Sequence, residues 1–269
     1  MAIGLSTYAF FWRSSARVPA PLTLPQMLEQ TASMGVRLFQ ICDYSQIESW
    51  SDIQLQALRQ QADTLGIQLE LGTRGLETAH LQRYLQLAEI LQVRVIRSMF
   101  NSAQHRPTMA EAAALIETIL PQLEQQGVQL CLETYEQVNS AMMMSVINRF
   151  PAAAVGVCLD PANCVAALEL PQQVIANTAG RVLNLHIKDF AFSRQDGWVG
   201  FTLAGCPLGE GLLDYDLLIE QVRPAERGIN QIVEHWLPWQ QDAASTCLRE
   251  AEWTQQSVDF LRHRQPRSN

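Results

Sequence analysis

Short apolar, β-branched runs recur along the chain, separated by segments whose apolar residues return every three or four positions. The runs fall at residues 3–8, 36–42, 67–72, 93–97, 128–133, 155–160, 182–188 and 231–236. They are apolar at successive positions rather than alternate ones, as strands covered on both faces must be. Between them, Ser51 is placed to cap a helix carrying Ile53, Leu55, Leu58, Ala62 and Leu65. Leu81, Tyr84, Leu85, Ala88 and Leu91 form a second stripe, residues 109–126 a third, and residues 243–261 the last helix. Gly35, Gly66, Gly127 and Gly228 stand at the handover from helix to strand, where a left-handed residue ends the helix.

Strands alternating with helices predict βαβ units and a parallel sheet. Eight of them in 269 residues predict an α/β protein folded as one closed (β/α)8 TIM barrel over residues 1–269, with a polar tail at about 263–269. An open doubly wound sheet would place a glycine-rich phosphate loop after its first strand, and Ser6-Thr7-Tyr8-Ala9-Phe10-Phe11 is not one. Residues 190–214 are expected to be the longest irregular stretch, with glycine at 197, 200, 205, 209 and 211, and hence a lid or binding loop.

Composition narrows the partners. The chain is 48% hydrophobic and 17% charged, enough to bury a full core without disulfides. A net charge of −8 opposes binding to nucleic acid or to an anionic membrane. Six scattered cysteines without a CxxC pair suit a reducing compartment. The start lacks a basic signal-peptide region, and no apolar stretch is long enough to span a bilayer. A cytoplasmic protein is expected, with homo-oligomers possible through the alanine-rich face of 110–123.

In such a barrel the chemistry sits at the C-terminal ends of the strands. Glu133, Asp160, His186 and Glu234 end four consecutive runs, at steps of 27, 26 and 48 residues. Three carboxylates and an imidazole brought to one side of the mouth would repel each other without a cation. One divalent ion removes that repulsion, and an oxygen-rich set with one nitrogen suits Mn²⁺ best, with Mg²⁺, Co²⁺ or Zn²⁺ as alternatives. Tyr8, Asp43, Arg74, Arg97, Asn163, His235 and Trp236 fall near the same ends and are candidate substrate contacts. Arg74 and Arg97 could grip a carboxylate or phosphate. Each residue has a structural alternative: Arg74 and Arg97 paired with Glu70 or Asp43, His186 a satisfied core group, Lys188 paired with Asp189.

The segments Leu-Cys-Leu-Glu133, Val-Cys-Leu-Asp160, Asn-Leu-His186-Ile-Lys188-Asp189 and Ile-Val-Glu234, with Pro207-Leu-Gly209-Glu-Gly211-Leu-Leu-Asp214, resemble the xylose isomerase-like TIM barrel superfamily, sugar isomerase/epimerase branch. The resemblance covers nearly the whole chain. It implies a single divalent metal on Glu133, Asp160, His186 and Glu234. It also implies that Glu133 and Glu234 act as an acid/base pair on a small sugar, through a metal-stabilised cis-enediolate. The epimerases of this family carry Asp-x-x-His where this chain has Asp160-Pro-Ala-Asn163. An amide cannot shuttle a proton, so the alternative is a metal-dependent decarboxylase of a 3-oxo sugar acid. Arg74 and Arg97 would then position its carboxylate, and Lys188 would be the catalytic acid. A third reading is a non-catalytic sugar-binding barrel. Too few histidines reach strand ends for the three-zinc endonucleases of this fold, and a second carboxylate set for a two-metal isomerase is missing.

Overall fold

The computed structural model describes residues 1–265. Among them, eight parallel strands close into a barrel: β1 (Ile3–Ser6), β2 (Leu38–Cys42), β3 (Gln68–Gly72), β4 (Val95–Ser98), β5 (Gln129–Glu133), β6 (Val155–Leu159), β7 (Val182–Ile187) and β10 (Asn230–Val233). The last pairs with both β7 and β1, so the sheet has no free edge. Helices α1 (Leu24–Ser33), α2 (Asp52–Leu65), α3 (Thr78–Leu91), α4 (Met109–Gln126), α5 (Ser140–Ile147), α6 (Pro161–Cys164), α7 (Pro171–Thr178), α8 (Tyr215–Val222), α9 (Pro224–Arg227) and α10 (Ala243–Arg264) lie between and after the strands. This is the expected (β/α)8 barrel.

Local chemistry sets the helix ends. Thr23 with Gln26, Ser51 with Gln54 and Thr108 with Glu111 each form a reciprocal capping box. Gly66 and Gly127 close α2 and α4 at φ 65° and 62°, a conformation that costs other residues a steric penalty. Buried leucines and alanines on the inner helix faces pack against the outward residues of the strands.

Three expectations need correction. Residues 190–214 are not simply irregular: β8 (Asp189–Arg194) and β9 (Phe201–Cys206) pair antiparallel as a hairpin beside the barrel mouth. Most of their residues are exposed or half-exposed, so no hydrophobic pattern announced them. The first strand stops at Ser6, because the Ser6 hydroxyl accepts from Tyr8 N and turns the chain into a 3₁₀ turn, Thr7–Phe10. Helix α10 runs to Arg264, into the segment read as a tail; residues 266–269 lie outside the described residues.

The segment after the hairpin is fixed by one buried carboxylate. Asp189 accepts from the backbone N–H of Phe190, Gly209, Gly211 and Leu213. It does not pair with Lys188. A Cβ on Gly211 would fall only 2.2 Å from Asp189 Oδ1 and 2.5 Å from Phe190 O. Gly211→Ala should therefore lower the free energy of unfolding by about 1–3 kcal/mol, read by urea denaturation. An unchanged midpoint would show that the segment tolerates displacement.

Candidate active site

Each member of the acidic quartet leaves the barrel at a strand end. Glu133 is the last residue of β5, and His186 lies one residue before the end of β7. Glu234 follows β10. Asp160 follows β6 and caps α6: its Oδ1 accepts from Ala162 N at 3.1 Å and Asn163 N at 3.3 Å. The Asp-Pro-Ala-Asn sequence suits this turn, since proline at the first helical position lacks an N–H to satisfy. Oδ1 is thus spent on the backbone, and Oδ2 is left for the site.

One donor atom from each of Glu133, Asp160, His186 and Glu234 comes within 4.8 Å of the others, and all four residues are buried. Oxygen and nitrogen donors stand about 2.0–2.2 Å from a small divalent ion, so donors around one ion lie up to about 4.4 Å apart. The quartet is near that spacing. Its electrostatics also fit a bound divalent cation. Burial pushes the Asp160 carboxyl up to about 6, although Lys188 Nζ stands 2.7 Å from its Oδ2. Burial would lower the pKa of His186, yet Glu234 and Glu133 raise it above its ordinary value. Glu133 Oε2 and Asp160 Oδ2 are buried without a well-directed hydrogen bond, touching only the charges of Arg97 and Lys188.

Two cations are built into the quartet. Arg97, 1% exposed, reaches Glu133 Oε2 with Nε at 2.7 Å and Asp43 Oδ1 with Nη1 at 3.0 Å. Burial alone would raise the Glu133 carboxyl, but Arg97, followed by His186 and Lys188, holds it well below the usual carboxylate range. Its Oε1 also accepts from Asn163 Nδ2 at 2.9 Å. Lys188 stands 3.1 Å from Glu234 Oε2, 3.4 Å from Asn163 Oδ1 and 4.7 Å above the Trp236 ring. Burial disfavours its charge, but Asp160, Glu234 and Glu133 outweigh burial and keep it an ammonium.

At the mouth, Asp43 gathers the remaining candidates. It accepts from the Tyr8 hydroxyl at 2.8 Å and from Arg74 Nε at 2.9 Å, and Arg74 Nη2 donates to Tyr8 Oη at 2.8 Å. The alternative partner foreseen for the arginines, Glu70, takes no part. A cavity of about 370 Å³ opens above this floor, lined by Arg74, Arg97, Glu133, Lys188 and Glu234 with Tyr8, Asn163 and Trp236. That is room for a small polar ligand. A second cavity of about 430 Å³ lies at the opposite end of the barrel, near Gln68, Arg94 and Asn230, and holds none of the quartet.

His235 is a correction. Its Nε2 meets Thr254 Oγ1 of α10 at 3.2 Å and its ring abuts Trp253, so it sits between barrel and helix rather than at the cavity. Burial lowers its pKa to about 3, with Arg13 adding to the effect. Successive residues at a strand end point to opposite sides, and Glu234 takes the inner side. Two participants, read at strand ends in the sequence, had no role assigned to them. Ser6 donates to Glu234 Oε1 at 3.0 Å, and Gln40 Oε1 meets His186 Nε2 at 2.8 Å. The available signal was a polar residue inside the apolar run Leu-Phe-Gln40-Ile-Cys.

The sequence profile described as xylose isomerase-like TIM barrel matches residues 28–264. A 3-oxo-isoapionate decarboxylase of Pectobacterium atrosepticum is 61% identical over 269 residues, covering all of this chain and 98% of that protein. The structure of D-psicose 3-epimerase with D-tagatose, from Clostridium cellulolyticum H10, superposes with a TM-score of 0.76 at 14% identity, over 98% of this chain and 99% of that one. A xylose isomerase-like TIM barrel protein from Mycobacterium smegmatis, in complex with magnesium, superposes with a TM-score of 0.70 at 15% identity, over 97% of each chain. At these identities the structural likeness speaks for the fold. All six cysteines are free thiols, and among the described residues no helix is long and apolar enough to cross a membrane.

Proposed function

The chain belongs to the xylose isomerase-like TIM barrel family, and from that premise we propose that it is a divalent-metal-dependent decarboxylase of a 3-oxo sugar acid, 3-oxo-isoapionate or a close analogue. This is the alternative drawn from the sequence, and it displaces the isomerase/epimerase reading. The observation that carries it is the state of Glu133, one of the two glutamates that proton abstraction would need, and of the residue that hydrogen-bonds it. Glu133 is ion-paired to a buried arginine and held far below the range of a useful general base. The residue above it is Asn163, an amide. Decarboxylation of a 3-oxo acid needs no base. It needs a grip on the substrate, a sink for electrons and one acid. The 61% identity over the full length supports the same choice.

Glu133, Asp160, His186 and Glu234 would hold the ion, for which Mn²⁺ is the first choice by donor type. Bound there, it supplies Lewis acidity toward a ketone oxygen. The chain's own groups do the rest. Arg74, held in place by Asp43 and Tyr8, receives the substrate carboxylate at the mouth with the guanidinium N–H groups those two do not use. The bond between that carboxylate and its neighbouring carbon breaks, CO₂ leaves, and the bond's electron pair passes into the enolate of the ketone. The Lys188 ammonium then gives its proton to that carbon, because an enolate carbon is a far stronger base than a lysine amine, even one whose ammonium is favoured by Asp160 and Glu234. The Trp236 ring lies 4.7 Å from Lys188 Nζ and packs against the acid.

The decisive assay uses protein stripped with a chelator and then given Mn²⁺, Mg²⁺ or Zn²⁺, incubated with 3-oxo-isoapionate in D₂O. CO₂ release that requires the added ion, with one deuterium at the protonated carbon, is the expected result. Full-rate release by the stripped protein would remove the metal from the proposal. Deuterium exchange into ketoses with no CO₂ from the acid would return the reaction to epimerisation.

A further inference from the structure

The barrel interior below the quartet holds a second, purely polar cluster. Glu70, in the middle of β3, is 3% exposed and forms no ion pair among the described residues. Its two oxygens instead take three carboxamides: Gln40 Nε2 at 3.1 Å and Asn184 Nδ2 at 3.0 Å on Oε2, and Asn230 Nδ2 at 2.8 Å on Oε1. A carboxylate only accepts, so each amide must turn its NH₂ toward Glu70. For Gln40 this has a consequence at the other end of the group. With Nε2 committed to Glu70, and also to Asn184 Oδ1 at 3.3 Å, its carbonyl oxygen must face His186 Nε2 at 2.8 Å. That contact is a hydrogen bond only if His186 Nε2 carries the proton. Nδ1 is the ring nitrogen turned to the quartet, 3.1 Å from Glu133 Oε1 and 3.4 Å from Glu234 Oε2. A neutral ring protonated on Nε2 presents the Nδ1 lone pair on that side, as a metal donor must.

We propose that Glu70 is a positioning residue for the metal centre: through the enforced orientation of Gln40 it fixes His186 as an Nδ1 donor. Without an acceptor-only group at position 70, the Gln40 amide is free to rotate and to present its NH₂ to the Nε2–H, which repels it. A buried carboxylate that forms no ion pair is expensive to keep, and its use here is to hold an amide that could otherwise point either way.

This inference rests on the quartet holding a metal, and the test separates the two. Mn²⁺ affinity is measured by titration calorimetry for the wild type, Glu70→Gln, and the exchange variant Gln40→Glu/Glu70→Gln, which moves the carboxylate next to His186 and restores an acceptor toward Nε2–H. A tenfold or greater weakening is expected in Glu70→Gln, of the order found when groups behind metal-binding histidines are removed, about 10–100-fold. The exchange variant should recover to within about threefold of the wild type, as a carboxylate behind a metal-bound histidine allows. In the Zn²⁺-loaded wild type, the His186 Nε2–H proton should resonate downfield as a hydrogen-bonded imidazole proton; it should move upfield in Glu70→Gln and return in the exchange variant. If Glu70→Gln does not fold, Gln40→Met, which removes the acceptor facing His186 together with the donor to Glu70, must show the same loss and the same shift. Affinity unchanged within twofold, or lost without a change in the imidazole proton, or lost without recovery in the exchange variant, overturns the proposal. A wild type that binds no Mn²⁺ would instead overturn the metal reading itself.

Discussion

Lys188→Met is expected to lower CO₂ release by about 10²–10⁴-fold, the usual contribution of a positioned acid. Methionine keeps much of the length and apolar stem while removing the proton. A structural reading of Lys188 would expect the loss to come from disorder in the quartet, since Nζ touches Asp160 and Glu234. The two readings differ in what happens to metal binding. Removing a positive charge 2.7 Å from a carboxylate oxygen of the quartet should leave Mn²⁺ affinity unchanged or tighter. The measurement is therefore paired: rate of CO₂ release and Mn²⁺ dissociation constant on the same preparation. Retention of more than a tenth of the rate would rule Lys188 out as the acid, and a rate loss matched by lost metal would make it a structural cation.

Much of this site was legible before any coordinates, for a definite reason. Strands buried on both faces write themselves as unbroken apolar runs, so Glu133, Asp160 and Glu234 stood out as the charges that end them. Where burial is one-sided or absent the writing fades. The hairpin of β8 and β9 is mostly exposed, and its glycines read as loop. His235 was misplaced because a strand's end can be read to within a residue, whereas one residue decides between the cavity and the packing against α10. Pairings across the barrel were beyond reach. Gln40 meets Asn184 across 144 positions of sequence and Glu70 meets Asn230 across 160, and no local pattern encodes which of several interior amides will face a given carboxylate.

Arg97 allows the electrostatic argument to be tested apart from catalysis. It is fully buried between Glu133 and Asp43 and also donates to the Thr73 carbonyl at 2.8 Å. Arg97→Met removes one partner of a buried pair and strands the other, which costs about 3–5 kcal/mol when nothing replaces the charge. The loss should depend on pH in a stated direction. In the native wild type the Glu133 carboxyl lies below its unfolded value, near 4.3. A depressed carboxyl adds stability above that unfolded value and loses it as pH falls through the native one. In the variant only His186 and Lys188 are left to oppose burial, so the same carboxyl stands higher and the variant loses less stability on acidification than the wild type does. The gap between the two metal-free proteins in urea should thus be widest near pH 7 and narrow toward pH 4. A constant gap across that range would mean that Arg97 contributes by packing, and the claim that it depresses the Glu133 carboxyl, and so makes it a weak base, would lose its footing.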